Sequence, residues 1–224
     1  MGAGLTVDKA RHPLEGTQGM SAAIQSLLWI AVSFLCGSLP LSYWLGRLAL
    51  HTDIRHYGDG NPGAANVWRA GGKWWGLLAI LLDGLKGLIP VAFANFATGL
   101  EGGWLAAVTL APMFGHAFSP FLGFRGGKTL AVTFGAWAGL TLYVVPTILG
   151  LSFAFWLLVL SAEAWAVLMG MLTLLVCLLF WFPNPVWMAV WLVSFGLLMW
   201  KHWTGFQQKP RLSKARFNKL ARRP

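Results

Sequence analysis

Long apolar runs, separated by short polar or glycine-rich breaks, dominate the chain. The first runs from Ala22 to Leu50, the second from Trp74 to about Thr98, and the third opens near Gly103, carries Pro112 and ends in GHAFSPFLGFRGGKT. From Thr129 to Phe182 the chain is again apolar. Breaks near Leu142 to Pro146 and near Ser161 to Ala164 divide that stretch into a fourth, fifth and sixth run. Pro183-Asn184-Pro185 sets off a seventh, from Val186 to about Trp203. Crossing about 30 Å of hydrocarbon takes roughly 20 apolar residues as helix. The pattern therefore predicts an all-α, polytopic membrane protein with about seven transmembrane helices. Residues 1–21 show no apolar periodicity and are expected to form a short extramembrane tail, 22–204 the membrane unit, and 205–224 a basic tail. The first run exceeds the roughly 7–15 residues of a signal-peptide core, so cleavage is not expected.

Composition agrees: of 224 residues, 57% are hydrophobic and only 11% charged, unlike an average soluble domain. The 17 Lys and Arg outnumber 7 Asp and Glu, and eight of the cations lie from Lys201 onward. A basic tail at a membrane exit marks the cytoplasmic side better than it marks a nucleic-acid partner. The segments after runs one, three and seven carry the cations, whereas the turns after runs two, four and six carry none. The positive-inside rule then puts the glycine-rich loops and the C-terminus in the cytoplasm and the N-terminus outside. The turn after run five carries only Glu163 and is silent on the point. Cys36 and Cys177 fall within apolar runs and are expected to be small core residues.

The chemistry gathers where the apolar pattern fails. Between runs one and two lies DIRHYGDGNPGAANVWRAGGK, from Asp53 to Lys73. Glycines at 58, 60, 63, 71 and 72 allow successive backbone N–H groups to face one anion. Asn61 and Asn66 add donors, and Arg55, Arg69 and Lys73 add positive charge, so the loop has the outline of a phosphate cradle. A second glycine-basic turn, Gly123 to Lys128, follows His116. It is no nucleotide P-loop, because Leu122 stands where G-x-x-x-x-G-K-[ST] requires its first glycine. Gly37-Ser38-Leu39-Pro40 kinks or breaks the first run. Asp83 and Lys86 share a helix face in the second, and Lys86 lies on the order of 20 Å along it from Lys73. Ionisable residues at such depth are candidates for function, with a purely structural pair as the other reading.

GSLP, DIR with GDGNPGAAN and RAGGK, D-x-x-K-G and GHAFSPF with GFRGGK together resemble the successive motifs of the PlsY family, the bacterial acyl-phosphate:glycerol-3-phosphate acyltransferases, over roughly 37–129. The resemblance implies a seven-helix inner-membrane enzyme with an interfacial active site built from glycine-rich cytoplasmic loops. It would move a fatty acyl group from acyl phosphate to the 1-hydroxyl of sn-glycerol 3-phosphate, with membrane lipids around it and no cofactor, metal, nucleic acid or required protein partner. Catalytic positions would be Ser38, Lys86, His116 and Lys128. Substrate would be bound by Arg55, Gly58, Asp59, Gly60, Asn61, Gly63, Asn66, Gly126, Gly127 and His202. The family shows no protein nucleophile, so the acyl phosphate's own oxygens would accept the hydroxyl proton. Acyltransferases with an H-x-x-x-x-D dyad are excluded, because no His here has Asp five residues later.

Departures concentrate where substrate would be gripped. Asp59 and Ala65 stand where the family usually has Ser and Thr, Thr129 where it has Gly, and Gly205 where it has Asn. Its Ser-containing segment before run six appears as Ser161-Ala162-Glu163-Ala164-Trp165. Phosphate beside Asp59 is repelled unless Arg55 or a second cation neutralises it. A homologue with another polyol-phosphate acceptor, or without catalysis, stays open on these grounds. A transporter of a phosphorylated metabolite fits less well, since the chain shows no internal repeat.

Overall fold

The computed structural model describes residues 12–212, and side chains from residue 22. Nine helices occur among the described residues: α1 (His12–Ser38), α2 (Leu41–Ala49), α3 (Ala64–Gly71), α4 (Lys73–Ala97), α5 (Gly102–Ala117), α6 (Leu130–Thr141), α7 (Val144–Val159), α8 (Glu163–Phe180) and α9 (Pro185–Lys201). Short 3-10 turns lie at Ile54–His56, Pro120–Leu122 and Trp203–Gln207. Every apolar run coincides with helix. Four segments are long and apolar enough to cross a membrane, at Ala22–Ala49, Lys73–Ala97, Gly102–Leu122 and Glu163–Phe180, and α6, α7 and α9 are shorter apolar helices. The 12 residues of α6 span only about 18 Å. The first helix reaches back to His12, ten residues before the apolar run, because extending a formed helix needs no buried face. Most of the basic tail, from 213 onward, lies outside the described residues.

The exterior is apolar. Leu81, Ile89, Phe93, Phe96, Leu151 and Leu192 are all exposed, as suits a surface that meets lipid. Tyr143 and Trp181 at one set of helix ends, and Trp74 and Trp203 at the other, are exposed where interfacial aromatics belong. The main core joins α5, α6, α7, α8 and α9 around the fully buried Trp137, Leu149, Met171 and Leu174.

Helix α4 packs most extensively on α6, and α1 on α5. The second contact needs small residues, because a Cβ on Gly115 would run into the Phe34 carbonyl and one on Gly37 into the Pro112 backbone. That closeness sets the α1–α2 break against α4 and α5. Pro40 cannot donate a helical hydrogen bond, so α1 stops at Ser38 and α2 starts at Leu41. The freed carbonyls find side chains: Ser119 Oγ donates to Ser38 O at 2.6 Å, and Lys86 Nζ donates to Leu39 O at 2.7 Å.

The turns after α2, α5, α7 and α9 meet on one face. Lys128, after α5, contacts both Asp59, after α2, and Glu163, after α7; Glu163 in turn faces His202, after α9. The turn that was silent in the charge count thus lies with the glycine-rich loops. The chain after α9 also returns to this face, where Ser161 N donates to Arg211 O at 2.9 Å and Trp165 Nε1 to Gln208 O at 2.8 Å.

Candidate active site

Two polar layers adjoin beneath the loops. The inner one is a small cleft lined by Ser38, Ser42, Pro62, Asp83, Lys86, His116, Ser119 and Gly127. Asp83 organises it: Oδ2 accepts from Ser42 Oγ at 2.5 Å and Oδ1 pairs with Lys86 Nζ at 2.8 Å, both charged side chains being almost fully buried. Lys86 therefore gives one contact to Asp83 and one to the helix break. Ser38 donates its hydroxyl to Phe34 O at 2.7 Å while lining the cleft. His116 is held against the second glycine turn, where Gly127 N donates to His116 O and Gly126 N to Ala117 O. A Cβ on Gly127 would collide with His116 Nε2, so glycine is required there by proximity of the ring. Lys201 Nζ braces the turn from α9, donating at 3.1 Å to both Ala117 O and Gly126 O.

The outer layer sets the partly exposed Lys128, Asp59, Asn61 and Glu163 over the buried Asn66 and His202. Lys128 Nζ lies 2.8 Å from Asp59 Oδ2 and 3.9 Å from Glu163 Oε2. Asp59 Oδ1 accepts from Asn61 N and Asn66 Nδ2, which also donates to Asn61 O. Arg69 Nη1 donates to Asn66 Oδ1 at 2.6 Å. Burial works to raise the Asp59 pKa, but the hydrogen bond and charge of Lys128, with the two Asn donors, hold it below the ordinary carboxylate value. Gly58 and Gly60 take positive φ, of 57° and 73°, to turn the chain around this carboxylate.

Arg55 sits elsewhere. Its guanidinium is locked on the buried Asp53, at 2.7 Å through Nη2, with Arg47 on the same carboxylate at 3.0 Å. The Arg55 hydrogen bonds, opposed by burial, hold Asp53 far below the usual carboxylate range. The cation that neutralises Asp59 is thus Lys128 and not Arg55, which its neighbour two residues back has already engaged.

The departures acquire physical reasons. Thr129 has φ of 65°, the left-handed region that favours glycine, and its hydroxyl turns back to Lys128 O. A Cβ on Gly205 would press on Ala164 Cβ, so these two small residues pack where longer polar side chains have no room. Ser161 is exposed with its backbone tied to Arg211. The segment's polar contribution to the outer layer is Glu163, overlooked in the sequence as a mere loop charge. Its signal was available: it is one of seven acidic residues in a basic chain and sits between two membrane runs. Asp53, Ser42 and Ser119 were likewise missed, because their partners are revealed by packing.

The chain matches the family model described as glycerol-3-phosphate acyltransferase over residues 27–209. It is 42% identical over 122 residues to glycerol-3-phosphate acyltransferase 1 of Thermotoga maritima, a match covering 54% of this chain and 60% of that protein. Over 180 residues it is 38% identical to glycerol-3-phosphate acyltransferase 1 of Deinococcus radiodurans, covering 80% of this chain and 89% of the relative. Among solved structures it resembles the crystal structure of PlsY (YgiH), an integral membrane glycerol 3-phosphate acyltransferase, in its glycerol 3-phosphate form, with TM-score 0.75 and 27% identity over 82% of this chain and 90% of that one. The lysophosphatidic acid form of PlsY gives TM-score 0.69 at 25% identity, over 88% of this chain and 92% of that one. An all-helical membrane-embedded fold, the ordered glycine-basic loops meeting on one face, and a family match over most of the length agree, and the chain belongs to the PlsY-type glycerol-3-phosphate acyltransferase family.

Proposed function

We propose that this protein transfers a fatty acyl group from acyl phosphate to the 1-hydroxyl of sn-glycerol 3-phosphate, releasing lysophosphatidic acid and phosphate, at the cytoplasmic face of the inner membrane. The observation that carries this is the convergence of Lys128, His202 and the Asn61 to Asn66 turn directly over the cleft of Ser38 and His116. A soluble phosphate and a lipid-borne one could meet there. The acceptor oxygen bonds to the carbonyl carbon as the carbon–oxygen bond to phosphate breaks, and the hydroxyl proton passes to a phosphate oxygen. Acyl phosphate is already activated, so orientation and positive charge at the departing phosphate are what the protein must supply. Lys128 is the cation best placed for that charge, being half-open to solvent and bound only to side chains that ligand can displace. N–H groups of the first glycine-rich loop would orient phosphate oxygens, those of Gly126 and Gly127 in the second being engaged by Ala117 O and His116 O. The basic loops support the cytoplasmic assignment by the positive-inside rule.

Purified protein in detergent, given acyl phosphate and glycerol 3-phosphate, is expected to release phosphate and lysophosphatidic acid in equal amounts. Phosphate release without acylated glycerol 3-phosphate would point to another polyol-phosphate acceptor, and no release at all to a non-catalytic homologue. Asp59→Ser is expected to lower the KM for the acceptor, glycerol 3-phosphate, about two- to fivefold, the scale of one exposed ion pair freed from competition. A raised KM in that variant would show that Asp59 helps binding by positioning Lys128.

A further inference from the structure

The chain past α9 does not leave the protein directly. The Trp203–Gln207 turn sets it across the ends of α7 and α8, where Trp165 Nε1 donates to Gln208 O at 2.8 Å and the Phe206 ring meets Trp165 edge-on. Ser161 N then donates to Arg211 O at 2.9 Å, and Leu160 and Leu212 form an antiparallel bridge. Residues 208–212 therefore lie as a short strap on the turn that carries Glu163, whose carboxylate stands 3.9 Å from Lys128. Backbone carbonyls hold the strap, and its side chains are left over. Lys209 and Arg211 are exposed and form no ion pair among the described residues. Trp203 and Leu212, beside them in the chain, are 68% and 69% exposed.

Two cations and two apolar side chains, all open at the ends of membrane helices, suit the border between headgroups and acyl chains, where apolar groups enter the bilayer and cations meet phosphate. From Lys209 to Pro224 the sequence holds seven Lys and Arg and no Asp or Glu, so no acid within that segment competes for the charge. The geometry points to a second site, at Lys209 and Arg211, that takes the headgroups of anionic lipids. Filling it presses the strap onto residues 160–163 and fixes Glu163 toward Lys128. Each Lys or Arg beside an anionic bilayer surface strengthens such a contact about fivefold. The charge of the surrounding bilayer thereby sets how firmly one wall of the active site is held. That regulatory role rests on the acyl transfer proposed above, whereas the lipid site itself does not.

The test is hydrogen exchange of the full chain in phosphatidylcholine vesicles and in equimolar phosphatidylcholine and phosphatidylglycerol vesicles. Amides of residues 160–165 are expected to exchange at least about tenfold more slowly in the mixed vesicles, two cations contributing about fivefold each. Lys209→Gln combined with Arg211→Gln should reduce that slowing to about twofold, and Lys209→Arg combined with Arg211→Lys should keep it. Ser161 bonds to the backbone of Arg211, so these substitutions leave the strap's own hydrogen bonds in place. Raised salt should erase the difference between vesicles. Equal exchange in the two vesicles, or equal slowing in wild type and the double Gln variant, overturns the inference. So does slowing by inorganic phosphate in neutral vesicles, which would make the ligand a free anion. Initial rates of phosphate release, taken as wild type over the double Gln variant so that effects of lipid charge on the substrates cancel, are expected to rise about two- to fivefold with phosphatidylglycerol. A ratio that does not move overturns the link to the active site. Exchange needs no turnover, so a lack of acyl transfer in every vesicle would count against the activity and leave the lipid site standing.

Discussion

Lys128→Ala is expected to cut acyl transfer by about a hundredfold or more, the usual cost of removing one group that stabilises developing charge, while the melting temperature stays within a few degrees. The asymmetry follows from exposure. Lys128 is 30% exposed and its partners Asp59 and Glu163 are 41% and 47% exposed, so the resting ion pairs contribute at most about 1 kcal/mol to folding. Its value lies in the complex: Lys201 also reaches the turn of Gly126 and Gly127 but donates to the Ala117 and Gly126 carbonyls, whereas Lys128 is held only by partly exposed carboxylates. Phosphate release measured against thermal unfolding in the same detergent checks both halves. Wild-type rates would remove Lys128 from the site, and a collapsed melting temperature would make it a structural residue.

Lys86→Met is expected to behave in the opposite manner, lowering stability by about 3–5 kcal/mol, because it strands a buried Asp83 carboxylate without its counter-charge. It also takes from the Leu39 carbonyl one of its two donors, leaving Leu41 N. Pairing it with Asp83→Asn removes the stranded charge while keeping an acceptor for Ser42, and the double variant should recover most of the loss. Thermal unfolding of the two single variants and the double variant reads this directly. If Lys86→Met melts like wild type yet cannot turn over, the ammonium serves substrate and the pair is not a staple.

The apolar helices were legible because lipid imposes a length and a hydrophobicity on any segment that crosses it, and the breaks were marked by Pro40, the loop glycines and Pro183 to Pro185. Alternation of sides then implied that the odd-numbered turns meet, which the contacts among Asp59, Lys128, Glu163 and His202 bear out. Pairing within that face was not legible. Asp59 has Arg55 four residues away and Lys128 sixty-nine residues away, yet it pairs with the distant one. Chain proximity favours the nearer cation only if that cation is free, and Asp53 caps the Ile54–His56 turn and holds Arg55 first. Asp83 and Lys86 could be seen as a pair from their three-residue spacing, but not their attachment to Ser42 and Leu39, which are brought in from another helix.

The break between α1 and α2 also constrains the order in which the protein can be assembled. Two of its carbonyls take side-chain donors from Lys86 on α4 and Ser119 just past α5, both made later than the helix they serve, Leu39 O accepting from Leu41 N as well. Within hydrocarbon an unanswered backbone carbonyl costs several kcal/mol, so the hydrogen bonds of this break are completed only by residues that follow it in the chain. The α1–α2 break is thereby tied to α4 and α5 and reaches its final hydrogen bonding only with both in place.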